Sequence, residues 1–314
     1  MEKIISPVSK YELEKELTKD KFVRKTNYGN NDVYIFTHRD SPNLMREVGR
    51  LRELSFRTAG GGTGKAIDID QYDISDYPYQ QLIVWDPAEK EILGGYRFFI
   101  CYKPKEGYEV VKHLATSGLF NFSEKFIKEY FPYLIELGRS FVQPAYQLTA
   151  GSRKGLFALD NLWDGLGALV VDNSEMRYFF GKVTMYPQFN KEARDLILFF
   201  LDKYFNDQEK LVTPVEPLEL NLDQKKLNSI FHGKTYLENY KILSQRVRSA
   251  GENIPPLFNT YMNLSPTMKV FGTVISKDFG NVQETGIMIT LKDVYASKLR
   301  YFTSYREDYK FPSH

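Results

Sequence analysis

The chain has 314 residues, 42% of them apolar, and a formal net charge of +2. That length suits one large domain or two small ones; the apolar share supports a sizeable core, excludes global disorder, and the balanced charge gives no general footprint for nucleic acid. A single cysteine, Cys101, excludes a disulfide-stapled scaffold and reads as a core residue.

No apolar run reaches the roughly 18 residues that span a bilayer. The opening MEKIISPVSKYELEKELTK lacks the apolar segment of a secretory signal. The expected location is the cytoplasm, with peripheral attachment at the inner membrane surface allowed.

In chain order, Ser41-Pro42 opens a helix, Ser as N-cap and Pro at the first helical position, and Leu44, Val48, Leu51 and Ser55 then share a face. The glycine-rich stretch TAGGGTG (58–64) reads as a mobile loop, followed by AIDIDQYD (66–73). QQLIVWD and EILGGYRFFIC, joined by a turn at 87–90, form a hairpin. FSEKFIKEYF (122–131) patterns as a short amphipathic helix, packed on a sheet or lying on a membrane surface. YLIELGRSFVQPAY (133–146) is a strand, residues 155–171 an apolar helix, and RYFFGKVTM (177–185) a further strand. Helical patterns over about 190–205 and 223–249 flank a proline-containing connection; MKVFGTVIS and TGIMITL close the set as strands. The whole, 1–314, is expected to be one α+β domain with a helical insertion at about 190–250.

Several simple chemistries are excluded. GGGTGK (60–65) follows a helix rather than a strand and lacks the remaining residues of a nucleotide-binding P-loop. The four histidines have no metal-ligand spacing, so no metal is expected, and no serine sits in G-x-S-x-G. What stands out is charge inside apolar segments: Arg52, Asp68, Asp70, Asp73, Arg97, Glu136 and Arg139. Both a structural ion-pair network and a catalytic cluster account for it. In a regular strand Glu136 and Arg139, three residues apart, point to opposite faces. Gly138 between them suits a β-bulge, which would bring both to one face and splay the strand from its neighbour.

The order of Arg52 and Phe56, Asp70 and Asp73, Arg97, then Glu136 and Arg139 resembles the acyl-homoserine-lactone synthases. LGGYRFF, IELGRSFVQPAY, KGLFALDNLWDGLGALVV, RYFFGKVTM and IPPLFNTYMNL resemble more closely the haemolysin-like GNAT acyltransferases, which include the N-acyltransferases of ornithine-lipid and glycine-lipid synthesis. The resemblance covers about residues 45–303. It implies a GNAT-like α+β fold, a mixed sheet splayed between its fourth strand (here the Glu136 strand) and its fifth (RYFFGKVTM), with an acyl-thioester arm entering the gap.

It further implies transfer of a (3-hydroxy)fatty acyl group to a small amino acid of the glycine or ornithine class. The donor would be a phosphopantetheine thioester on acyl carrier protein or CoA. Catalysis falls to Glu136, Arg139 and Arg97, with Glu136 as base. Substrate binding falls to Arg52, Asp70, Asp73, Phe141 and Val142. Ser152, Arg153, Lys154 and Gly155 stand where the family binds phosphate, although they depart from the usual Q/R-x-x-G-x-G/A pattern. Acyl carrier protein is acidic, so Arg153, Lys154 and Lys182 are expected in a basic patch. A signal synthase and a non-catalytic binding module of the same fold are the alternatives.

Overall fold

Three short elements precede the first predicted helix: α1 (Lys10–Glu16), β1 (Phe22–Lys25) and β2 (Asp32–Phe36). Helix α2 (Pro42–Thr58) follows, with Leu44, Val48, Leu51 and Ser55 all buried. Its cap differs from the expected one. The Ser41 side chain makes no capping bond; the Glu16 carboxylate of α1 instead accepts the N–H groups of Asn43 (3.0 Å) and Leu44 (2.8 Å). A carboxylate there also complements the helix dipole.

The glycine-rich loop after α2 is fastened rather than free. Buried Glu53 accepts the Thr63 N–H (3.0 Å), the Thr63 hydroxyl (2.7 Å) and the Gly64 N–H (2.9 Å). One turn of helix, α3 (Gln71–Ile74), leads into the hairpin β3 (Gln80–Asp86) and β4 (Glu91–Ile100). After β5 (Phe120–Phe122), the FSEKFIKEYF segment forms a π-helical turn that buries Phe126 and Ile127 against Phe180, so its apolar side packs on the protein.

Then come β6 (Leu134–Val142), the apolar α4 (Ala158–Asp172), β7 (Tyr178–Met185) and α5 (Lys191–Phe205). Residues 206–255 hold β8 (Val212–Pro214), α6 (Gln224–Ile230) and α7 (Tyr236–Ser249), the latter started by a Thr235–Glu238 capping box. The last part contains α8 (Pro256–Met262), β9 (Lys269–Ser276), β10 (Val282–Thr290) and α9 (Arg300–Thr303). The computed structural model describes residues 1–101, 108–147 and 157–311.

Eight strands make one sheet in the order β1-β2-β3-β4-β6-β7-β10-β9, and β5 pairs β8 apart from it. All pairs in the large sheet are antiparallel except β6–β7. Alternation along the strands sorts the core. One face, under α4, α5 and α8, buries Leu82, Tyr96, Phe98, Ile135, Leu137 and Phe179. The other carries two clusters. Phe56, Ile83 and Phe141 lie in the cluster with α2; Phe120, Leu134 and Phe180 lie in the second.

β6 carries an irregularity that β4 must accommodate. A Cβ on Gly94 would stand 2.4 Å from the Phe141 carbonyl oxygen, so only glycine lets the two backbones approach there. Gly94→Ala is therefore expected to lower stability by about 1–3 kcal/mol in urea denaturation. Gly118→Ala, where a Cβ meets nothing within 4 Å, is the control expected to stay near the parent. Equal midpoints for the two variants would mean β4 yields freely.

Candidate active site

The irregularity is a β-bulge. Arg97 pairs with Gly138 and Gly95 with Phe141, so Arg139 and Ser140 together face Tyr96. Arg139, not Gly138, takes the left-handed conformation, at φ 49°. A non-glycine residue adopts it at a cost on the order of 1 kcal/mol. Gly138 lies against Arg97 without crowding: a Cβ there would stand 3.5 Å from Arg97 Nε, an ordinary contact distance. The extra residue returns Arg139 and Phe141 to the face that already holds Glu136.

Glu136 and Arg139 nevertheless do not pair with each other. Asp70 accepts two bonds from Arg97 Nη1, each 2.8 Å, and lies 3.4 Å from Arg139 Nη2. Arg139 Nε is 2.9 Å from Asp68 Oδ2, an ion pair whose N–H is not aligned for a hydrogen bond. The Arg139 guanidinium also lies over the Phe279 ring, 4.1 Å from its centroid. Arg97 reaches Asp73 at 3.3 Å, and Asp73 is bound on its other side by Arg52 at 3.1 Å. The extended segment carrying Asp68 lies along α2, where the Asp68 N–H donates to the Gly49 carbonyl. Asp70 and Asp73 close a capping box around α3.

Arg52 and Asp73 are fully enclosed, Arg52 by Asp73 and the Gln81 amide. They hold Arg97; neither is presented to open space. Burial works to raise the Asp73 pKa, but the two guanidinium groups win and hold it well below the usual carboxylate range. Burial opposes the charge on Arg97 as well, and Asp73 and Asp70 more than restore it.

Glu136 is 1% exposed. It accepts the Tyr79 hydroxyl and the N–H groups of Ala115 (3.0 Å) and Thr116 (3.1 Å). Burial raises its pKa, and those three donors and the charge of Arg97 only partly offset it. Tyr79 stacks on Phe99 and has Arg97 5.2 Å above its ring, so it joins Glu136 to the arginine–aspartate network. Burial, and then the charge of Glu136, push the Tyr79 pKa well up. Tyr79, Gln81 and Thr116 are absent from the sequence-derived set. Each is an ordinary residue in an apolar or loop context, and only its position beside the carboxylates marks it.

β6 and β7 pair from Leu134↔Tyr178 to Leu137↔Gly181 and then part. A Cβ on Gly181 would lie 2.5 Å from the Leu137 carbonyl oxygen, so the last contact is as close as backbones allow. With the edge strand β1 set aside, these are the fourth and fifth strands of the sheet, as the resemblance implies. Beyond that point β6 keeps only β4, and β7 keeps only β10. A small crevice at the apex is lined by Leu137, Gly181, Lys182, Tyr261 and Ile287.

Phe141 is 4% exposed and packs in the α2 cluster. The Val142 carbonyl accepts the Gln147 side chain at 2.9 Å. Lys182 departs from its expected place in a basic patch: it turns inward to buried Glu284, 2.9 Å away. Ser152, Arg153, Lys154 and Gly155 lie outside the described residues. No group of three metal-ligating side chains occurs among the described residues.

The acetyltransferase (GNAT) domain model matches residues 51–154. A glycine N(alpha)-acyltransferase of Phocaeicola vulgatus is 54% identical over 298 residues, covering 95% of this chain and 91% of that protein. One from Bacteroides thetaiotaomicron is 54% identical over 310 residues, covering 98% and 92%. Among solved structures, the CoA-dependent acyl-homoserine lactone synthase BjaI with MTA superposes at a TM-score of 0.41 and 11% identity, covering 87% of this chain and 88% of its own. The fold is GNAT-like, and the chain belongs to the N-acyltransferase family of its two 54%-identical relatives.

Proposed function

We propose that this acyltransferase moves a long (3-hydroxy)acyl group from the phosphopantetheine thioester of acyl carrier protein to the amino group of glycine, yielding an N-acylglycine for amino-acid-lipid synthesis. The observation that carries the choice of glycine is 54% identity to two glycine acyltransferases along nearly the whole chain.

The chemistry balances simply. The amine attacks the thioester carbonyl, a C–N bond forms and the C–S bond breaks. The thiolate leaves and takes up the proton that the attacking nitrogen sheds as the amide forms. Glycine arrives as an ammonium, so one proton must first be removed, and Glu136 takes it directly or through a water. Arg97 and Arg139, fixed by three aspartates, shape the electrostatics beside the gap. Beyond Leu137 the β7-facing edge of β6 has no strand partner, and N–H groups near Phe141 and Val142 are the candidates to receive the developing oxyanion. Asp70 stays at this rim; Arg52 and Asp73 act behind it. No helix among the described residues is long and apolar enough to cross a membrane, so delivery of the product to a bilayer calls for peripheral contact.

Expression in a host without amino-acid lipids, followed by mass spectrometry of the lipid extract, should show N-acylglycine species. Purified enzyme should prefer acyl carrier protein to CoA as donor. Ornithine lipids or a diffusible lactone instead would overturn the choice of acceptor.

Glu136→Gln is expected to melt within a few degrees of the parent and to lose at least about 100-fold in kcat/KM; an active, folded variant removes Glu136 as base. Because burial raises the Glu136 pKa, the acid limb of kcat/KM should lie above the ordinary glutamate value of about 4.3, activity falling as pH drops through it. A limb at or below that value contradicts the assignment.

A further inference from the structure

The charges on the α2 face form a belt between two apolar clusters, and the gap in the sheet cuts it in two. On the β4–β6 side, Arg52, Arg97 and Arg139 are paired with Asp68, Asp70 and Asp73. On the β7–β10 side the belt resumes with Lys182, Thr184 and Glu284. Lys182 and Thr184 share the face of Phe180, because Phe179, Val183 and Met185 point to the opposite core. Glu284 pairs across from Thr184 in β10 and is 1% exposed. It accepts Lys182 Nζ at 2.9 Å and the Thr184 hydroxyl at 3.0 Å. Beside it, burial and then the Glu284 charge push the Tyr186 pKa up to about 12.

A buried lysine–glutamate pair is a poor way to stabilise a sheet, since apolar residues of the same volume do as well or better. Its placement suggests another use. Lys182 is the first β7 residue past the last β6–β7 pair, and its side chain remains 15% exposed. An ammonium has three donors, and Glu284 takes one; no other partner of Lys182 occurs among the described residues. Thr184 holds Glu284, and Glu284 holds the amine in place. Across the gap, the bulge turns Arg139 to the same face. Two fixed cations therefore flank the opening, and no carboxylate among the described residues pairs with both.

We propose that Lys182, positioned by Glu284 and Thr184, binds the carboxylate of the amino acid acceptor together with Arg139. Anchored there, the acceptor's amine lies one carbon away, in the opening between β6 and β7. This subsite rests on the acceptor being an α-amino acid, as proposed above, but not on which one.

The test compares glycine with glycinamide, which keeps the amine and lacks the carboxylate. The parent enzyme is expected to favour glycine at least tenfold in kcat/KM; equal use of the two overturns the subsite without any variant. The double variant Lys182→Met/Glu284→Gln avoids an unpaired buried charge. It is expected to fold, raise the KM for glycine at least tenfold, leave the KM for the acyl donor unchanged and lose the preference over glycinamide. Lys182→Arg should keep part of that preference. An unchanged glycine KM in a folded double variant, or a change confined to the acyl-donor KM, overturns the assignment. If the parent acylates ornithine or serine and not glycine, the acceptor reading above fails. The subsite is then read from that amino acid and its amide.

Discussion

Opposite Tyr96 of β4, β6 places two residues, and the mismatch sets everything that follows. Regular alternation would send Arg139 and Phe141 into the core under α4, where a guanidinium has no partner. The bulge turns both toward α2, at the cost of a left-handed arginine. It also bends β6 away from β7, so pairing that begins at Leu134 is over by Leu137. One local defect thus produces both the opening in the sheet and the charged wall beside it. Gly94 and Gly181 are its counterparts on the neighbouring strands, each sited where a side chain would strike a β6 carbonyl.

The charged wall does not recommend itself as a source of stability. Arg52, Asp73 and Arg97 are at most 3% exposed, and removing one partner from such a set costs about 3–5 kcal/mol, whereas replacing the set by apolar groups costs little or nothing. What the set supplies is fixed position. Asp73 is bound by Arg52, Arg97, the Gln81 amide and the Asp70 N–H, so its rotamer has no freedom left. Arg97 inherits that rigidity, and through it so do Asp70 and Arg139. Charges that need no reorganisation during reaction are the kind that stabilise a transition state more than a ground state.

Much of this was legible in the sequence, for identifiable reasons. QQLIVWD, EILGGYRFFIC and RYFFGKVTM are apolar enough to read as strands without help. An arginine and a carboxylate in one apolar strand, separated by a glycine, announced a bulge. The positive φ falls on Arg139 and not on the glycine, which lies beside Arg97 at ordinary contact distance. β1 and β2 carry little signal in the sequence, because FVRK and DVYIF are short, with weak alternation. Ser41 looked like a helix cap, but Glu16 arrives from another helix and takes the bonds. Lys182 illustrates the general limit. Its charge is visible in the sequence, but its direction depends on Glu284, 102 residues further on, in the antiparallel neighbour. Tyr79 is similar: nothing in SDYPYQQ shows that its hydroxyl will meet Glu136 57 residues later.

The two faces of the opening differ in a way that suits two unlike substrates. Toward α4 and α8 the apex is apolar, bounded by Leu137, Tyr261 and Ile287, all in the large core cluster. Toward α2 it is flanked by Arg139, Lys182 and the carboxylates that fix them. An acyl thioester gains by burying methylene groups, about 0.8 kcal/mol for each, whereas an amino acid needs paired charges on leaving water. In the reading proposed here each enters from the side that matches it, and they meet in the plane of the sheet. Holding two reactants in register contributes several kcal/mol of rate acceleration on its own. A sheet is a stiff frame for that purpose: β4 fixes one wall and β10 the other, so the width of the opening is set by strand pairing and not by a flexible loop.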